Sequence, residues 1–147
     1  MTSRCGSSRA ATRSQASAEA AVARILIAED EEPVRTLITR ALAEEGHFVV
    51  ATADGTEAFD MLQGEDGAFD LLLADIKMPG MDGIALAFAV ARDFPKVPIL
   101  LMTGYADQRE RAFGFEALIC DIIAKPFALA DIKFAVASAV ATGERRS

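Results

Sequence analysis

Residues with reactive side chains stand at the far ends of four short apolar runs. Glu29 and Asp30 follow Arg24-Ile-Leu-Ile-Ala, Asp75 closes Phe69-Asp-Leu-Leu-Leu-Ala, Thr103 follows Val97 to Met102, and Lys125 follows Cys120 to Ala124. Three carboxylates gathered in one crevice repel one another unless a cation joins them, and hard oxygen ligands with few protein donors suit octahedral Mg²⁺. With that ion present, Asp75 is a carboxylate nucleophile whose phosphoryl product is stabilised by the metal, the Lys125 ammonium and the Thr103 hydroxyl. The pattern therefore points to phosphoryl transfer onto Asp75. Taken singly, none of these residues carries that reading. An acid at a strand end is ordinarily a solvated or helix-capping group, a Thr before Gly a turn residue, and a Lys before Pro a surface charge. Their joint occurrence, each at the end of its own run, is what carries it.

The elements that must position them alternate along the chain. The run Arg24–Ala28 reads as a buried strand. Pro33 suits a first helical turn, Val34, Leu37, Ile38, Ala41 and Leu42 form an apolar stripe, and Gly46 sits where a helix C-terminal cap belongs. His47–Ala53 is a second strand, Gly55–Leu62 a second helix, and the run ending at Asp75 a third strand. A turn-rich loop, Ile76-Lys-Met-Pro-Gly-Met-Asp-Gly, leads to a third helix over Ile84–Asp93 with Ile84, Ala87, Phe88 and Ala91 on one face. Pro95 and Pro98 bracket the break before the fourth strand, Asp107–Phe115 is a weaker fourth helix, and Ala128–Ala141 is a closing helix striped by Ile132, Val136, Ala139 and Val140. Phe134 lies off that stripe, which leaves two placements open: exposed on a partner-binding surface, or packed at the stripe's edge. Strands separated by helices at this spacing imply an α/β fold, a parallel sheet with helices on both faces. Ligand chemistry in such open sheets collects beyond the carboxyl ends of the strands, where the reactive residues fall.

Composition narrows the function classes. The 147 residues suit one domain with a sizeable core, and a formal charge of -7 argues against nucleic-acid binding, which needs a basic surface to displace counterions from phosphates. No apolar run of about 18 residues is present, so no membrane partner is expected. Cys5 and Cys120 fall in neither a metal-ligand nor a disulfide spacing, consistent with a reducing, cytoplasmic compartment. Residues 1–22, rich in Ser, Ala and Arg, read as a disordered extension, with Val22 as an alternative start; 23–141 read as the domain and 142–147 as a short tail without an output domain. The lone His47 follows a capping glycine with no acid nearby and reads as surface structure.

Three rival functions remain open. A flavin carrier shares this architecture but needs a phosphate-cradling Ser/Thr/Gly-rich loop after the first strand, where this chain has Glu29-Asp-Glu-Glu-Pro33. An aspartyl phosphatase needs an acid to protonate the leaving group, and Asp75-Ile-Lys77 places none two residues on. A binding module that keeps the fold without being phosphorylated would act through its surface alone.

Ile25-Leu-Ile-Ala-Glu-Asp-Glu31, Asp75-Ile-Lys-Met-Pro-Gly-Met-Asp-Gly83, Met102-Thr-Gly104 and Lys125-Pro-Phe127 together resemble the response-regulator receiver domain of bacterial two-component signalling, over about residues 23–141. The resemblance implies a five-stranded, doubly wound parallel sheet of flavodoxin-like order 2-1-3-4-5. It implies that Asp75 is the phospho-acceptor, served by a histidine kinase or histidine phosphotransferase. Asp30, Asp75 and the Lys77 backbone carbonyl would contact Mg²⁺, with Glu29 acting through water. Thr103 and Lys125 would bind the phosphoryl oxygens, and the Lys125–Pro126 bond would be cis. Ala23-Arg-Ile-Leu-Ile-Ala-Glu-Asp30, Asp54-Gly-Thr-Glu-Ala58 and Thr103-Gly-Tyr-Ala106 look like a single-domain branch that regulates cell-cycle proteolysis, which implies the ClpXP protease (ClpX) as downstream partner and phosphorylation as the off signal. Two departures stand out. Ile122 occupies the place, three residues before the lysine, where many receivers carry a switching aromatic, leaving Tyr105 as a substitute. Glu116-Ala117 replaces the usual Gly-Ala before the fifth strand, which suggests an irregular fourth helix and loop.

Overall fold

The computed structural model describes residues 22–104 and 119–146. The extension over 1–21, the expected helix Asp107–Phe115, Tyr105 and Glu116-Ala117 lie outside the described residues.

Five strands, β1 (Arg24–Ala28), β2 (Phe48–Thr52), β3 (Leu71–Asp75), β4 (Ile99–Thr103) and β5 (Asp121–Ala124), pair in parallel in the order β2-β1-β3-β4-β5. This is the expected order. The described helices are α1 (Glu32–Glu44), α2 (Gly55–Gly64), α3 (Gly83–Asp93) and α4 (Leu129–Arg146). Each strand's period of two divides its apolar side chains between the faces of the sheet. Leu26, Leu72, Ala74, Ile99 and Leu101 pack with Ala58 and Leu62 of α2 and Leu86 and Val90 of α3. Ile25, Ile27, Leu71, Leu73, Leu100 and Met102 pack with Ile38 and Leu42 of α1 and Ile132 and Val136 of α4. β1, β3 and β4 are therefore apolar at almost every position, as strands covered on both faces must be. Burial of each such Leu or Ile contributes about 1.5–3 kcal/mol.

Helix ends follow local chemistry. Asp54 and Glu57 form a reciprocal cap at α2, Asp54 Oδ1 accepting from the Glu57 N–H at 2.8 Å and Glu57 Oε1 from the Ala53 N–H at 2.7 Å. Asp82 caps α3 in the same sense, through the Ala85 N–H at 2.9 Å. Gly46 ends α1 with φ 95°, a left-handed conformation that costs glycine little, and its N–H donates to the Ala43 carbonyl at 2.9 Å.

Several expectations need correction. Leu37 is half exposed, because α1 buries Ile38, Ala41 and Leu42 instead. Phe88 is likewise half exposed; α3 is rotated so that Leu86 and Val90 meet the sheet. α4 continues to Arg146 instead of stopping at Ala141, since one interior glycine, Gly143, costs a helix only about 1 kcal/mol. β4 starts at Ile99 rather than Val97, after Pro98, which has no N–H for the ladder, though its carbonyl accepts from Leu72 at 2.9 Å. His47 is structural as expected, but it is half-buried and an acid, Glu45, does lie near it: its Nδ1 accepts the Ala23 N–H at 3.1 Å, and burial lowers its pKa against the opposing pull of Glu45. Phe134 is 75% exposed, which decides between the two placements open to it.

Candidate phosphoryl-acceptor site

The carboxyl end of the sheet gathers the predicted residues. β1 and β3 are neighbours with Ala28 opposite Ala74, so the chain leaves β1 at Glu29 beside Asp75, the last residue of β3. β3 and β4 pair Asp75 with Met102, which sets Thr103 one step beyond; β4 and β5 pair Thr103 with Ala124, so Lys125 follows immediately. One carboxylate oxygen from each of Glu29, Asp30 and Asp75 lies within 4.8 Å of the others. Lys125 Nζ bridges two of them, 3.1 Å from Glu29 Oε1 and 3.0 Å from Asp75 Oδ2. Glu29, Asp75 and Thr103 are buried, Asp30 is exposed, and Lys77 lies exposed in the loop two residues past Asp75. The Lys125 N–H donates to the Thr103 carbonyl at 2.7 Å, and the Lys125–Pro126 bond is cis, as expected.

The main chain around these groups is tied down. The Glu29 N–H donates to the Thr52 carbonyl at 3.1 Å, and the buried Thr52 hydroxyl donates to the Ile27 carbonyl at 2.7 Å. Glu29 Oε2 accepts from the Glu31 N–H at 3.1 Å, and Arg35 Nη1 on α1 donates to the Glu29 carbonyl at 2.9 Å. Behind Asp75, the Ile76 N–H donates to the Met102 carbonyl at 3.0 Å and the Gly83 N–H to the Ile76 carbonyl at 2.8 Å. Gly83 packs so closely that an added Cβ would overlap the Asp75 carbonyl oxygen. Thr52, Arg35 and Gly83 were not legible as site residues. Thr52 reads as one more β-branched strand residue, Arg35 as a solvated helix charge and Gly83 as part of a turn.

Electrostatics reflect the crowding. Burial, aided by the negative charge of Asp75, raises the Glu29 pKa from 4.5 to about 7. Burial also raises Asp75, although Lys125 pulls it back down. Burial would lower Lys125, but the two carboxylates it bridges outweigh that and leave it raised. One ammonium against three carboxylates leaves a surplus of negative charge facing an exposed edge at Asp30.

Residues 25–137 match the family model of the response regulator receiver domain. The chain belongs to that family. This receiver domain is 37% identical over 109 residues to the response regulator receiver protein CpdR of Brucella abortus, covering 74% of this chain and 89% of CpdR. It is 35% identical over 109 residues to the transcriptional regulatory protein TcrA of Mycobacterium tuberculosis, but spans only 42% of that longer protein. Among solved structures it superposes on a receiver domain protein from Clostridium thermocellum with TM-score 0.79 at 21% identity, covering 86% of this chain and all of that one, a likeness of fold. A CheY-like receiver from Methanospirillum hungatei gives TM-score 0.77 at 27% identity, covering 86% of this chain and 99% of that one. Receiver domains are signal-transduction modules of two-component response regulation, not enzymes with an independent substrate. Among the described residues, no helix is long and apolar enough to cross a membrane.

Proposed function

We propose that Asp75 accepts a phosphoryl group from a phosphohistidine of a histidine kinase or histidine phosphotransferase, and that the modified domain exchanges protein partners. The observation that carries this reading is the pair of contacts from Lys125 Nζ, 3.0 Å to Asp75 and 3.1 Å to Glu29, beside the exposed carboxylate of Asp30. An Asp75 oxygen forms the new O–P bond as the donor's N–P bond breaks, and the imidazole leaves with the electron pair. Lys125 neutralises charge on the phosphoryl oxygens, and the Thr103 hydroxyl, at the end of the next strand, completes their binding.

The donor set fits a hard divalent cation: three carboxylates with one accessible side and a surplus of negative charge, the chemistry Mg²⁺ satisfies through oxygen ligands and retained water. Asp30, Asp75 and the Lys77 carbonyl would hold Mg²⁺ directly and Glu29 through water; the ion would supply charge neutralisation at the transferring group. The test is incubation with acetyl phosphate and Mg²⁺ followed by intact-mass and peptide mapping. A gain of one phosphoryl group, labile to hydroxylamine and confined to the peptide containing Asp75, is expected; no gain overturns the reading.

A pH dependence follows from the buried carboxylates. Glu29 titrates near 4.5 unfolded and near 7 folded, so its contribution to stability is full below about 4.5 and is lost as pH rises through about 7. Metal-free protein should therefore melt at a lower temperature at pH 8 than at pH 5. Mg²⁺ competes with the proton, so its stabilising shift should grow over the same range. Thermal melts at several pH values, with Mg²⁺ or with a chelator, check both.

The likeness to CpdR over 89% of that protein's length supports a more specific output: the unphosphorylated domain acts in the cytoplasm on substrate selection by the ClpXP protease, and phosphorylation ends that role. A pull-down with ClpX should retain wild type and Asp75→Ala alike, and lose wild type once it is phosphorylated.

A further inference from the structure

Resting on the metal-site reading above, we propose that Arg35 is a positioning residue for cation binding, holding the Glu29–Asp30 turn in its ligating form through the Glu29 main chain. Arg35 lies on α1, six residues beyond Glu29, and its side chain is half-buried. Its Nη1 donates to the Glu29 carbonyl at 2.9 Å, while the Arg35 N–H donates to the Glu31 carbonyl at 2.9 Å as the first helical bond. The turn from Glu29 to Glu31 is thus held at both ends by one residue, and is drawn tighter by the Glu31 N–H on Glu29 Oε2 at 3.1 Å. Glu29 lies one residue past the end of β1, and the Arg35 guanidinium gives its carbonyl a hydrogen-bond donor from the helix. The two carboxylates that depend on this turn are those of Glu29 and Asp30.

The charge of Arg35 makes the idea testable by sign. If the residue acted only as a nearby positive charge it would repel a bound cation, and its removal would tighten metal binding. If it positions the turn, removal weakens binding, as loss of outer partners of metal ligands typically does, by roughly 10–100-fold.

The experiment titrates Mg²⁺ by calorimetry into wild type, Arg35→Met and Arg35→Lys, alongside urea unfolding of each. Expected are a loss of roughly tenfold or more in Mg²⁺ affinity for Arg35→Met and recovery to within a few-fold of wild type for Arg35→Lys. Unchanged or tighter binding by Arg35→Met overturns the proposal. A loss no larger than the accompanying loss of global stability predicts, with no rescue by lysine, also overturns it. Amide hydrogen exchange of the metal-free proteins gives a second reading. Glu31 should lose protection in Arg35→Met while Ile25 to Ala28 keep theirs; equal protection at Glu31 counts against the proposal. If wild type itself binds no Mg²⁺, the metal-site reading fails, and the Glu31 exchange still decides whether Arg35 holds the turn.

Discussion

With Asp75 replaced by asparagine, acetyl phosphate and Mg²⁺ are expected to leave the mass of the protein unchanged for as long as wild type takes to become fully modified. The amide has nearly the shape of the carboxylate but no anionic oxygen to attack phosphorus, so the loss should be complete rather than graded. The fold should survive. Asp75 lies at the end of β3, and its charged form is disfavoured by burial. Removing that charge also relieves Glu29, whose pKa it helps to raise, so the Glu29 pKa should fall toward the ordinary range. Lys125 keeps its contact with Glu29 at 3.1 Å. Metal-free Asp75→Asn should therefore melt no lower than wild type at pH 8, while its stabilisation by Mg²⁺ shrinks because one ligand has gone. A phosphoryl gain equal to wild type would place the acceptor elsewhere and remove the basis for the proposed function.

Gly83→Ala should destabilise the fold close to the site. The new Cβ would overlap the Asp75 carbonyl oxygen and approach Ile76 Cα to 2.7 Å, so two backbone segments, not a flexible side chain, would have to move apart. Overpacking of this kind costs about 1–3 kcal/mol. For a domain of this size that lowers the melting temperature by roughly 4 °C per kcal/mol. The displaced backbone carries Asp75 and begins the loop toward Lys77, so the rate of phosphorylation by acetyl phosphate should fall with it. Gly64→Ala is the control: nothing lies within 4 Å of a Cβ there, the residue is helical, and a neutral or slightly stabilising change of up to about 1 kcal/mol is expected. Equal melting temperatures for Gly83→Ala and wild type would show that the strand end can yield without cost.

Much of this protein was readable from sequence for a definite reason. Strands covered on both faces must be apolar along their length, so each appears as an uninterrupted run, and the residue that ends it is conspicuous by its polarity. Glu29, Asp75 and Thr103 could be picked out that way, while Lys125 ends the edge strand β5, a shorter and half-exposed run that opens on Asp121; parallel pairing brings all these strand ends to one edge of the sheet. The closing helix was equally plain, since Ile132, Val136, Ala139 and Val140 repeat at helical spacing and all are buried. Which edge of a stripe meets the sheet was not legible. Leu37 and Phe88 fit their helical periods, yet both are half exposed, because helix rotation is settled by packing against residues distant in the chain.

The chemistry-bearing residue types and their order were thus determined by the sequence itself, since hydrophobic patterning and strand ends are local properties. Tertiary structure alone decided how they are held. Lys125 bridges carboxylates 96 and 50 residues away, Thr52 anchors β1 from the neighbouring strand, Arg35 grips a carbonyl from a helix, and Gly83 leaves room for the backbone of Asp75. Each of these depends on a distance through space between atoms whose separation along the chain carries no signal.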